Sequence, residues 1–342
     1  MKPHFTLNKN IVLQQYHKTE KISDIVSYSS KTNPLVTPIL EQETDAMFSI
    51  HLQNELKNVK DKSRILFLAQ AWNEEQIESL INQGINWFVV DNEVDLEILV
   101  KYLDTRDTKI NLLLRLKLKE RTLKTEKYYV FGMESKVINQ KINELSNHKN
   151  INNLGIHFHR KTQNMAEWNL QYEIEDVIPP EVLNKITILN IGGGLPSNYA
   201  NTNVKVIDSI FNKINDLKSW LQTKNIKLML EPGRFIAAPA GKLHTEIIAI
   251  HSNTIIVNTS VYNSDMDALI VPVKLLVENE LEKHQGEPYV IKGITPCSLD
   301  LFRYRVYLNE PKVGDKITFL NAGAYNFSTE FCDLEKLETI EE

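Results

Sequence analysis

The sequence predicts a parallel (β/α)₈ barrel of the TIM type, followed by a separate antiparallel β domain. Three observations carry that prediction. Eight short apolar runs recur through the first two thirds of the chain, and segments with helical apolar spacing lie between several of them. After about residue 240 only strand-like runs broken by turns remain. Apolar strands separated by helices argue for parallel βα units buried on both faces. Eight such units in about 215 residues match a closed barrel. An open doubly wound sheet is the alternative that strand count leaves standing.

The runs, in order, are "DIVSYSS" (24–30), "AMFSIHL" (46–52), "RILFLAQAW" (64–72), "NWFVVDN" (86–92), "INLLLRLKL" (110–118), "NLGIHFH" (153–159), "ITILNIGGG" (186–194) and "IKLMLEPGR" (226–234). Between them, "NEEQIESLINQG" (73–84), "SKVINQKINELSN" (135–147) and "VIDSIFNKINDLKSWLQ" (206–222) return apolar residues at helical spacing. The barrel is expected over residues 23–240. The β domain is expected over 241–342 together with 1–22, whose "FTLNKNIVLQQY" could add a strand to it. "KVGDKI" reads as a turn between two strands.

At 342 residues, 42% hydrophobic and 24% charged, the composition is that of a soluble globular protein. A net charge of −5 gives no electrostatic footprint for nucleic acid, and no basic run points to a membrane surface. "MKPHFTLNKN" lacks the apolar core of a signal peptide, and no apolar stretch is long enough to span a bilayer. The two cysteines, Cys297 and Cys332, make neither a disulfide framework nor a metal site by spacing. The expectation is a cytoplasmic protein with a small-molecule ligand and no metal.

A parallel barrel carries its reactive groups at the C-terminal ends of its strands. Lys31 lies just past the first run, and His159 ends the sixth. Gly192, Gly193 and Gly194 end the seventh, and Glu231 with Arg234 ends the eighth. Each has an ordinary reading by itself: a solvated lysine, a structural histidine, a tight turn, an exposed ion pair. Together, an amine, backbone donors for an anion, an arginine and a carboxylate around one mouth suit a phosphorylated carbonyl cofactor. Pyridoxal 5′-phosphate needs all four.

These segments resemble the fold-type III pyridoxal-phosphate decarboxylases, the group of ornithine, lysine, arginine, diaminopimelate and carboxynorspermidine decarboxylases. The resemblance runs over nearly the whole length. "YSSKTNP" is similar to the family's lysine segment, which makes Lys31 the Schiff-base lysine. "GIHFHRKTQ" assigns His159 to the cofactor ring, with Thr162 where a phosphate-contacting serine is usual. "NIGGGLP" matches the phosphate-binding glycine loop, and "EPGR" supplies Glu231 for the pyridine nitrogen and Gly233 and Arg234 for the phosphate. "NAGAYNFS" places Tyr325 at the phosphate. The resemblance further implies an alanine racemase-like architecture and a head-to-tail homodimer in which each β domain completes the partner's site.

The substrate end departs from that pattern. In "GITPCSLD", aligned without a gap, proline takes the place of the expected catalytic cysteine and Cys297 that of the aspartate after it; either the thiol is shifted by one residue or a local insertion restores it. "VNTSVYNSD" puts Thr259 where ornithine enzymes carry an aspartate for the distal amine, so Tyr262 and one of Asp300, Asp265 or Asp267 become candidates for substrate binding. The implied reaction is decarboxylation of a basic or diamino amino acid through Lys31, with Cys297 returning a proton. A modified or conjugated amino acid is the alternative substrate. A racemase and a non-catalytic homologue are further readings, the former opposed by Glu231 and the latter by the intact Lys31 segment.

Overall fold

The computed structural model describes residues 1–117, 130–202 and 204–342. Strand β1 (His4–Leu7) and the helix Lys9–Ile22 precede eight strands: β2 (Ile25–Ser29), β3 (Met47–Ile50), β4 (Ile65–Ala69), β5 (Trp87–Val90), β6 (Ile110–Arg115), β7 (Ile151–His157), β8 (Ile188–Asn190) and β9 (Lys227–Leu230). Strands β2 to β9 pair in parallel, each with the next. The ring closes where Ile25 and Val26 lie opposite Met229 and Leu230. The closed barrel therefore stands and the open sheet is excluded. Every predicted run overlaps one barrel strand and seven contain theirs; β7 begins two residues before the sixth run, and the fifth run extends to Leu118, outside the described residues.

The barrel interior is filled, as alternation along each strand requires. Leu66, Val89, Leu113, Ile188 and Met229 form a buried layer, with Ile25, Met47, Leu68 and Trp87 packed against it. Each such aliphatic side chain contributes about 1.5–3 kcal/mol by leaving water. Outside the strands, Glu74–Asn82 starts at a reciprocal cap in which Asn73 and Gln76 exchange backbone-to-side-chain hydrogen bonds of 3.0 and 2.9 Å. Helix Ser135–Leu145 buries Ile138, Ile142 and Leu145, and Ile207–Gln222 buries Ile210, Ile214, Leu217 and Leu221. These are the single apolar stripes the sequence pattern predicts.

The rest of the chain adds β10 (Gly241–His251), β11 (Thr254–Val257), β12 (Leu276–Val277), β13 (Glu287–Lys292), β14 (Leu301–Leu308), β15 (Lys316–Leu320) and β16 (Glu338–Glu341). With β1 they make an eight-stranded sheet in which β12, β15, β10, β11, β13 and β14 are successive neighbours, and β1 lies between β10 and β16. The sheet is mixed rather than purely antiparallel, because β1 runs parallel to β16 and β11 parallel to β13. A parallel pair needs a crossover. Residues 258–286, with two four-residue helices, provide it between β11 and β13. "KVGDKI" forms the expected turn, with Gly314 at φ +94° and Lys312 N donating to Asp315 Oδ2 at 2.7 Å.

The chain divides into a barrel unit, residues 16–196 and 206–233, and a sheet unit, residues 1–15, 197–205 and 234–342. Residues 197–205 join the sheet unit through bonds such as Ala200 N to Lys274 O at 2.8 Å and Asn321 Nδ2 to Asn198 O at 2.6 Å. No helix among the described residues is long and apolar enough to cross a membrane.

Candidate active site

Lys31 sits in a one-turn 3₁₀ helix, Ser30–Thr32, directly after β2. The turn is wired by its own sequence. Tyr28 OH donates to Asn33 O at 3.0 Å, Ser30 Oγ lies 2.9 Å from Thr37 Oγ1, and Asn33 Oδ1 accepts from Leu35 N. Water reaches the Lys31 side chain. Partial desolvation lowers its pKa, aided by Arg115 and opposed by Glu231 and Glu55. A larger neutral fraction of the amine is what attack on a carbonyl needs.

Glu231 follows β9 and is buried. Its Oε1 accepts from Asn190 Nδ2 at 2.6 Å. His157 Nε2 is 3.2 Å from the same oxygen, within ion-pair range but off the line of a hydrogen bond. Burial by itself would raise this carboxyl; His157, His51 and the Asn190 amide outweigh it and hold the pKa at about 2. His159, just past β7, accepts from Gly193 N at Nδ1 over 3.1 Å. Desolvation in the mouth pushes its pKa down to about 3, so the ring is neutral and carries its proton on Nε2.

Gly192, Gly193 and Gly194 follow β8. Gly192 has φ +66°, and a Cβ there would come within 2.6 Å of Phe158 O and 2.8 Å of His159 Nδ1. A Cβ on Gly193 would meet Glu231 O at 2.6 Å, and one on Gly194, at φ +97°, Lys161 O at 2.9 Å. Only glycine fits the loop between these strand ends. Gly194 O accepts from Asn164 N at 2.9 Å, which pins the turn carrying half-buried Thr162 to the loop. Among the described residues the Gly194 and Gly233 N–H groups make no hydrogen bond. A Cβ on Gly233 would overlap Thr32 Oγ1, itself a buried hydroxyl without a partner.

The sheet unit holds the remaining candidates. The Arg234 guanidinium is spent on Asp267, to which both NH1 and NH2 donate, and on Tyr199 OH at 3.0 Å; the Tyr325 ring lies 5.0 Å beneath it. Tyr325 adopts φ +56°. The Asp300 carboxylate is likewise committed, accepting from Val261 N, Thr295 N and Thr295 Oγ1 at 2.9, 3.0 and 2.7 Å. Thr259 is buried, its hydroxyl donating to Asn263 Oδ1 at 3.0 Å. Cys297 remains accessible, with Sγ 3.1 Å from Tyr262 OH, and the Tyr262 ring stacks on Phe331 at 3.9 Å. The hydroxyl, helped by backbone N–H groups, lowers the thiol pKa; the shared bond pushes Tyr262 up to about 12. Of the three aspartates, Asp265 alone has a buried carboxyl whose two oxygens lack partners among the described residues, and burial beside Asp267 raises its pKa well above the usual range.

Residues 12–238 match the model of the pyridoxal-dependent decarboxylase pyridoxal-binding domain. The chain belongs to that family. It is similar to diaminopimelate decarboxylase of Bacteroides thetaiotaomicron, 26% identical over 213 residues, 57% of this chain and 53% of that protein. The match thus spans about half of that relative. It is also similar to antizyme inhibitor 2 of Xenopus laevis, 23% identical over 320 residues, 84% of this chain and 68% of that protein. In fold it is similar to the lysine/ornithine decarboxylase of Vibrio vulnificus solved with cadaverine, with TM-score 0.81 and 23% identity over 99% of this chain and 94% of that one.

The pyridoxal phosphate that such a domain binds fits the barrel mouth. An amine of lowered pKa, a buried carboxylate, a glycine cradle that a Cβ would fill and an orphaned Thr32 hydroxyl are the groups it requires. The sequence reading missed Thr32, His51, His157 and Asn190. Two signals were there: His157 stands two residues before His159, and Asn190 stands two residues before Gly192.

Proposed function

We propose that the chain is a pyridoxal-phosphate-dependent decarboxylase of a basic or diamino amino acid. The observation that carries the reading is the pairing, in one barrel mouth, of the accessible Lys31 amine with a Glu231 carboxyl held at about 2. When bound, the cofactor supplies an electron sink for the pair released as carbon dioxide leaves. Lys31 would hold the cofactor through its amine. Glu231, ionised at neutral pH, accepts a charge-assisted hydrogen bond from the ring nitrogen and keeps the proton there. His159, uncharged, packs on the ring without competing for that proton. Gly192, Gly193, Gly194 and Gly233, with Thr32 and Thr162, would hold the phosphate. Cys297 donates the proton that replaces the lost carboxylate, with Tyr262 tuning its acidity. The proposed assembly is a head-to-tail homodimer in which Cys297 serves the partner's barrel.

Two observations favour a second substrate class within this reading. The Thr259 hydroxyl and the Asp300 carboxylate are both engaged inside the sheet unit. Neither is spare for a distal ammonium, and a neutral hydroxyl pairs with one poorly. A modified or conjugated amino acid, whose far end is not a simple amine, suits such a site. The intact lysine turn and glycine cradle speak for catalysis over a non-catalytic role.

The deciding experiment measures carbon dioxide release by cofactor-loaded protein over ornithine, lysine, arginine, diaminopimelate and carboxynorspermidine, as L- and D-forms where both exist. Release with one of them, absent in Lys31→Ala, supports the proposal and names the substrate. Silence across the panel with a lysine-bound cofactor points to a conjugated substrate. Silence with no cofactor bound to lysine overturns the reading.

A further inference from the structure

At the C-terminal ends of three successive barrel strands the inward-facing residues change from apolar to polar at one level. Ile188 and Met229 belong to the packed layer. One step higher on the same faces, two residues on, come Asn190 and Glu231. His157 lies opposite Asn190 in the β7–β8 register. All three are buried, His157 at 1% exposure and Asn190 at 0%.

Their connections are lopsided. Asn190 is fully used: its amide donates to Glu231 Oε1 at 2.6 Å and faces Met229 Sδ at 3.1 Å, while its carbonyl accepts from Gly192 N at 2.8 Å. His157 makes no hydrogen bond at either ring nitrogen among the described residues, and its Nε2 stands 3.2 Å from Glu231 Oε1. A buried imidazole without hydrogen bonds is an expensive way to fill space that leucine or phenylalanine would fill. Glu231 itself has both neighbours on Oε1, and Oε2 accepts nothing from the described residues.

We infer that His157 and Asn190 are a positioning pair: they fix Glu231 through Oε1 and so reserve Oε2 for the protonated ring nitrogen of the cofactor. Neither touches the reacting atoms. Asn190 sets the carboxylate's rotation and ties it to the glycine loop through Gly192. His157 faces the same oxygen from the neighbouring strand and keeps the carboxylate from turning its other edge into the barrel. The inference rests on the role of Glu231 proposed above.

The test compares equilibrium binding of pyridoxal phosphate with that of its 1-deaza analogue, which has carbon in place of the ring nitrogen. The wild-type protein is expected to prefer the nitrogen-containing ligand by about tenfold or more, the scale of a charge-assisted hydrogen bond. Glu231→Gln should erase that preference. His157→Phe should bring it to within about threefold with affinity for the deaza ligand unchanged, and His157→Gln, which keeps a polar group against Oε1, should restore most of it. Asn190→Ala, which adds no bulk, should lower the same ratio and decides the matter if the phenylalanine variant does not fold. A wild-type ratio in His157→Phe or Asn190→Ala overturns the inference, as does an equal loss of both affinities, which marks packing alone. If the wild-type protein shows no preference, or Glu231→Gln keeps it, the role of Glu231 itself falls.

Discussion

Alanine at Gly233 probes how closely the lysine turn is pressed against the chain leaving β9. Gly233 lies outside the left-handed region, so a methyl group costs nothing in backbone strain and the whole penalty is overlap. That methyl would land on Thr32 Oγ1 and stand 3.2 Å from the Cβ atoms of Ser29 and Thr32. Thr32 is 1% exposed and has no room to move away. Overpacking of this kind costs about 1–3 kcal/mol. Thr32→Ala alone removes a hydroxyl that has no partner among the described residues together with a buried methyl group, and should cost about 1 kcal/mol. In the double variant the new methyl occupies the space that the threonine vacated, so the two changes should couple favourably by about 1–2 kcal/mol. Urea unfolding of the cofactor-free wild-type, single and double variants at pH 7 measures the cycle. A Gly233→Ala protein within about 0.5 kcal/mol of wild type, or strict additivity, would refute the packing argument.

Three further outcomes follow from the same geometry. Glu231→Gln should lower turnover by at least about a hundredfold while the cofactor stays bound, because a neutral amide cannot hold the ring-nitrogen proton; steady-state kinetics and the retained cofactor absorbance check both halves. Tyr262→Phe should move the alkaline limb of the rate profile to higher pH. The hydroxyl lowers the Cys297 thiol pKa, a donor thiol works only while protonated, and the rate therefore falls as pH rises through that pKa. An unmoved limb would show that Cys297 is not the donor. Asp267→Ala should destabilise the protein by about 3–5 kcal/mol, since it leaves the buried Arg234 guanidinium without its carboxylate; a shift in thermal or urea midpoint reads it.

The barrel was legible because its signal is repeated. Eight apolar runs, each bounded by polar or glycine residues, leave little freedom, and a barrel strand coincides with or overlaps each one. Strand direction in the sheet unit was less legible. Whether β11 runs with or against β13 depends on the path of the 29 residues from 258 to 286, which no local pattern encodes. That Lys31, His159, the glycines and Glu231 lie just past strand ends was legible because the strands were, and strand ends are where a barrel carries its chemistry. Arg234 shows the limit of that rule. Its place in "EPGR" says that it is near the strand end, but only the fold shows that Asp267, 33 residues away, takes its guanidinium. The Asp300 carboxylate escaped in the same way, since a residue that bonds three local donors looks no different in sequence from one that meets a substrate.

The place of β1 also bears on how the chain comes to be folded. β1 pairs with residues 241–244 on one side and 338–341 on the other, so nothing near it in sequence can hold it. The barrel strands, by contrast, all lie between residues 25 and 230, and neighbouring strands are short steps apart along the chain, apart from the closing pair β2 and β9. During synthesis the ring can assemble while β1 still waits as a bare edge, with its N–H and C=O groups unpaired. Loop closure over such a span is slow to be rewarded, so the sheet is the later and more aggregation-exposed half of the folding reaction.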